Sequence, residues 1–116
     1  MTAFEIAKEL GIKNKEEIQQ VIDELINDKK LNFDPETKTF SYSLRNPLNL
    51  ANGNTIDLIS IKEPTGGDIA EITDITQPIA MSIGIVSKQN EIPRAIIERI
   101  GISDLTNIIQ VINFFT

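Results

Sequence analysis

Carboxylates are the side chains in this sequence whose types and spacing come nearest to chemistry. Glu16-Glu17 and Asp23-Glu24 are paired acids, the residue types that serve general acid and base catalysis. That role needs burial to shift the proton affinity of one member. Both pairs fall on the outward side of a predicted helix, so a solvated face accounts for them better. Thr65-Gly66-Gly67-Asp68 places glycine amides at a predicted helix start, where anions bind. It lacks the lysine and the longer glycine spacing of a P-loop, and Asp68 would repel a phosphate, so helix capping is the better account. Asp57, Asp68 and Asp74 are too scattered for an EF-hand loop. The chain has no histidine and no cysteine. That removes histidine-based triads, disulfides and cysteine-based zinc sites together. A non-enzymatic protein with no cofactor and no metal is expected.

The 116 residues suffice for one ordinary domain or two very small ones, and an apolar fraction of 41% is enough to bury a core. The formal net charge of -6 disfavours nucleic acid or an anionic membrane as partner unless a basic patch exists, and Lys29-Lys30 is the only basic pair. The N-terminus lacks the basic start and apolar run of a signal peptide. The most apolar window, Ile79 to Val86, is too short to span a bilayer. A cytoplasmic location is the expectation.

The elements that would position these residues follow from periodicity. Phe4 to Leu10 reads as a short helix with Phe4, Ala7 and Leu10 recurring at three, Ile6 beside them, and Gly11 as its left-handed cap. Asn14 can cap a second helix, Lys15 to Lys30, whose stripe is Ile18, Val21, Ile22, Leu25 and Ile26. Leu31 and Phe33, then Phe40 and Tyr42, alternate on either side of the turn Asp34-Pro35-Glu36-Thr37, which predicts a hairpin. Helix, helix and hairpin resemble a winged helix-turn-helix. Against a DNA-binding role, Glu16, Glu17, Gln19, Gln20, Asp23 and Glu24 would face the groove, where Arg, Lys or Asn is needed.

A second hairpin is predicted around Asn52-Gly53. Leu48-Asn49-Leu50 and Ile56-Asp57-Leu58 alternate on either side, and Asn-Gly supplies two residues that tolerate the positive φ of primed two-residue turns. Glu63-Pro64 stops the second strand. Thr65 and Asp68 can then exchange capping bonds at the start of a helix over Gly66 to Ile75, carrying Ile69, Ile72 and Ile75. Thr76 and Pro78 punctuate the chain. Ile79 to Lys88 fits either a helix, with Ile79, Ile83 and Val86 inward, or a buried strand. Gln89-Asn90 breaks it, Pro93 opens a short helix ended by Gly101, and Ser103 caps a final helix with Leu105, Ile108, Ile109 and Ile112 as its main stripe.

A strand, an Asn-Gly turn, a strand ending in Lys62-Glu63-Pro64-Thr65-Gly66-Gly67-Asp68 and a helical tail ending in Phe114-Phe115 resemble the phage tail assembly chaperones over Leu44 to Phe115. Residues Met1 to Ser43 lie outside the resemblance. It implies a helix at Ile79 to Lys88. It implies a partner too: the tape measure protein, with help in recruiting tail tube subunits, inside a bacterial host cell. Members of the family are often made in a short and a frameshifted longer form, and Asn113-Phe114-Phe115 can be encoded by a slippery run of thymines.

The final helix carries more apolar surface than one stripe needs. Val111, Phe114 and Phe115, with Ile109, are therefore the expected partner-binding residues, an apolar face able to hold an amphipathic helix. The expected fold class is α+β in two parts: a winged-helix-like helix-helix-hairpin unit over 1–43, and a hairpin with a small helical bundle over 44–116. The expected function is a tail assembly chaperone. A small DNA-binding regulator and a generic protein-interaction domain are the alternatives.

Overall fold

The computed structural model describes residues 1–13, 15–70 and 78–115. Among them the order is α1 (Ala3–Leu10), α2 (Glu16–Asn27), β1 (Leu31–Asp34), β2 (Thr39–Asn49), β3 (Thr55–Ile61), α3 (Gly66–Ala70), α4 (Pro78–Asn90), α5 (Arg94–Ile97) and α6 (Ile102–Phe114). The fold class is α+β, with helices around one antiparallel sheet of order β1-β2-β3. The two predicted hairpins share β2, a single strand of 11 residues. The boundary expected near 43–46 thus lies inside a strand, and the buried core takes residues from both sides of it.

Sheet polarity follows the period-two pattern. Leu31, Phe33, Phe40, Tyr42, Ile59 and Ile61 enter the core. Asn32, Ser41, Ser43 and Ser60 line the other face. Leu58 shares its parity with Ser60 rather than with Ile59 and Ile61, so the stronger isoleucine pair turns it outward, against expectation.

The chain enters α1 through a capping box. Thr2 Oγ1 accepts from the Glu5 amide, and Glu5 Oε1 accepts from the Thr2 amide. Gly11 closes the helix at φ +67. The inward stripe is Ala3, Ile6 and Ala7, because small alanines allow close approach to α2. Phe4 is exposed, under the Lys8 ammonium at 4.9 Å. The second helix is shorter than expected. Lys29 takes φ +60, and the amides of Lys29 and Lys30 return to the carbonyls of Ile26 and Leu25, so both lysines form the reversal into β1.

The turn at Asn52-Gly53 also differs from expectation. Only Gly53 has positive φ, at +87. The Leu50 amide donates to Asn54 O and the Gly53 amide to Leu50 O, a three-residue loop in which a type I turn ends on a left-handed glycine. Asn52 serves through its side chain, accepting from the Asn54 amide.

In the second half, Pro64 follows β3, and Thr65 and Asp68 exchange the expected capping bonds at 3.1 and 3.2 Å. The expected cap Asn14, and Ile72, Asp74, Ile75 and Thr76, lie outside the described residues, as do the side chains of Ile69 and Pro78. The segment after Pro78 is a helix, with Ile85 and Val86 buried. Ile79, expected inward, is exposed. Gln89-Asn90 does not break α4; the left-handed residue is Glu91, at φ +54. The two amide side chains instead pair with the outer edge of β3. Asn90 bonds the N–H and C=O of Ser60, and Gln89 those of Lys62. The final helix starts at Ile102 with Gly101 as cap, and Ser103 lies inside it.

Replacing Gly53 by alanine forces a Cβ into the left-handed region and should cost about 1–2 kcal/mol. The urea midpoint should fall with an unchanged m-value.

Candidate interaction surface

The register of β2 against β3 slips once, and that slip locates the best-organised polar site. Ser43 pairs with Leu58 and Leu48 with Ile56, so β2 runs from 43 to 48 while β3 runs only from 58 to 56. The surplus residues form a bulge. Pro47 has no N–H to satisfy, but Arg45 and Asn46 do. Both donate to Asp104 Oδ2 in the first turn of α6, at 3.0 and 3.4 Å. Tyr42 Oη donates to Asp104 Oδ1 at 2.8 Å and accepts from Asn107 Nδ2 at 3.0 Å. Asp104 and Asn107 are three apart, hence neighbours on one helix face.

Asp104 is 2% exposed, yet three donors meet its oxygens, which is what burying a carboxylate requires. Burial pushes the Tyr42 phenol up to about 12; the Asn107 amide opposes the rise and Asp104 reinforces it. Each of these groups is engaged in holding another. Asp68 is likewise committed. Burial raises its pKa, but the Thr65 amide, Gln89 Nε2, Lys62 and the Thr65 hydroxyl outweigh that and leave it lowered.

The expected partner-binding residues are core. Val111, Phe114 and Phe115 are buried, and Ile109 is half-buried against the same cluster. Phe40 explains this. Its ring lies 4.9 Å from Phe33, 5.9 Å from Phe114 and 5.7 Å from Phe115, the two latter edge-on. The surplus face of α6 therefore closes on the front half of the chain instead of standing open. A division of the chain at 43 would put Phe40 out of reach of Phe114; the shared core brings the two rings together.

The expected wet face of α2 holds for Glu16, Glu17, Gln20 and Glu24, which are exposed. Gln19 and Asp23 are only half-exposed, and Asp23 accepts from the Ala3 amide at 2.7 Å, tying α2 to the start of α1. Among the described residues no group of three or more metal-ligating side chains could hold an ion. None of their helices is long and apolar enough to cross a membrane.

Large apolar side chains are left outside the core at Leu58, Ile79 and Ile102, besides Met1 and Phe4. Ile102, 75% exposed, opens α6 two residues before Asp104, and Leu58, 55% exposed, pairs with Ser43 at the start of the bulge. Ile102 thus lies beside the Asp104 bonds to the bulge, while Leu58 stands on the polar outer face of the sheet. In comparisons with known proteins, no family model, no curated protein and no solved structure matches the chain.

Truncating Phe114 to alanine should lower stability by about 3–5 kcal/mol in urea unfolding, as for a core aromatic. Tyr42 is the only tyrosine, so phenolate absorbance follows it directly. Its folded-state value lies above the ordinary 10.0, so its stabilising contribution is complete below pH 10 and is lost as pH rises through about 12. The wild type should lose that stability over this interval, and Tyr42→Phe should not.

Proposed function

We propose that this chain is a non-catalytic tail assembly chaperone, acting in the cytoplasm of a bacterial host on the phage tape measure protein. The observation that carries the reading is the junction after β3. Strand, Pro64, the reciprocal Thr65–Asp68 cap and the helix it opens follow in the order that the resembling family uses. Gln89 Nε2 donates to Asp68 Oδ2 at 3.2 Å and fastens α4 to that junction, so the motif sets the start of the helical tail.

The client-binding role passes from the last turn of α6 to the apolar residues that stay outside. Leu58, Ile79 and Ile102 would contact apolar side chains of a client helix, and the net charge of -6 favours solubility. The tail tube protein is a second candidate client. The order α1-α2-β1-β2 also keeps the winged-helix-like arrangement. Glu16, Glu17, Gln20 and Glu24 on the exposed side of α2 would face DNA phosphates, however, and argue against that use.

Co-expression with a tape measure fragment tests the proposal. The fragment should stay soluble and co-purify. An Ile102→Asp/Leu58→Asp variant should capture roughly tenfold less of it, the scale of one buried aliphatic contact, with an unchanged circular dichroism spectrum. A fragment that precipitates beside folded wild-type chain would rule the function out.

A further inference from the structure

The outer edge of β1 carries backbone groups that no described residue bonds. The Ser43 amide donates to Lys30 O at 2.8 Å, which fixes the phase of the β1–β2 ladder. The Lys30 carbonyl and the backbone groups of Asn32 and Asp34 therefore face β2, the Lys30 amide being held by Leu25 O, and Leu31 and Phe33 turn their groups away from it. Among the described residues β1 pairs with β2 only. At the other edge of the sheet, Asn90 and Gln89 occupy the equivalent positions on Ser60 and Lys62. One edge is closed by amide side chains, and the other has no strand or side-chain partner among the described residues.

We propose that the outer edge of β1 pairs antiparallel with β1 of a second copy, about a two-fold axis at Asn32, joining two sheets into one of six strands. The side chains choose this occupant and this register. Leu31 opposite Phe33 of the second copy, and the converse, lets all the outward groups of both strands bond; a shift of two residues either way leaves some unpaired. In that register Lys30 stands opposite Asp34 of the second copy, twice. Both side chains are exposed and lie on the same polar face as Asn32, which meets its own counterpart. Opposite charges across a strand pair are favourable and like charges are not. Parallel addition would set Lys30 beside Lys30 and Asp34 beside Asp34. A groove of about 60 Å³ lined by Met1, Ile6, Ile26, Leu31, Asn32 and Phe33 borders the edge, so a second strand would lie beside it.

Sedimentation velocity on the full chain tests the pairing through charge reversal. The wild type should dimerise with rising concentration. Lys30→Glu and Asp34→Lys should each weaken the dimer by about tenfold or more, since each sets like charges opposite each other twice. An equal mixture of the two variants should dimerise again. In the mixed dimer, position 30 of either chain faces position 34 of the other with opposite charge, at both ends of the pairing. Asp34 also accepts from the Glu36 amide in the turn, so circular dichroism must first show that Asp34→Lys is folded; if it is not, Lys30→Glu alone against the wild type decides. A wild type that stays monomeric up to about 1 mM, a dimer that Lys30→Glu leaves unchanged, or a mixture no tighter than either variant alone overturns the proposal. A monomeric wild type would also open the edge to an extended segment of another protein.

Discussion

The rest of the structure depends on one buried carboxylate. Asp104 receives the Tyr42 hydroxyl and the amides of Arg45 and Asn46, groups that belong to the middle strand and to its bulge. Without it, the amides of Arg45 and Asn46 would lose their acceptor where the ladder to β3 is interrupted, and the fully buried Tyr42 hydroxyl would lose its own at a cost of about 1–3 kcal/mol. Apolar packing can hold α6 against the sheet in several rotations and translations. Directed bonds to the bulge select one of them. That selection places Ile102 outside and Phe114 inside.

The aromatic cluster supplies the non-directional half of the same attachment. Phe33 and Phe40 come from the front hairpin, Phe114 and Phe115 from the end of the chain, and Phe40 touches all the others. Lys15 Nζ also donates to Asn113 O, across the same join. A chain whose length allowed two very small units instead shares one sheet and one core. Small units bury too little surface to be stable alone, and merging them is the remedy. The polar outer face of the sheet is the consequence, since the bulky apolar side chains of the strands, Leu58 apart, are drawn to the other side.

Much of the local structure was legible in the sequence, because it rests on local rules. The Gly11 cap, the Asp34-Pro35 turn and the Thr65–Asp68 box depend on residues within a few positions of one another, and all are present. What misled was long-range. Phe114 looked surplus because its partner, Phe40, lies far off in sequence. Leu58 looked inward because its alternation is as good as that of Ile59 and Ile61, and only competition for the core decides between them. Gln89-Asn90 looked like a break because amides favour turns; their bonding to a strand edge depends on where β3 passes. One further signal is present in the sequence. Asp104 and Asn107 sit three apart within an otherwise apolar face of α6, and a polar pair there requires a buried partner such as the lone tyrosine.

The last helix is thus part of the core, and Ile102 at its start stays exposed beside the bulge. The claim underneath is that the Asp104 bonds make front and back halves a single cooperative unit. Native-state amide hydrogen exchange reads this directly. The amides of Arg45 and Asn46 should exchange with the same opening free energy as those in the middle of α2 and α6, and all should fall together in dilute denaturant. Arg45 and Asn46 exchanging at unprotected rates, or α6 opening well before α2, would contradict it.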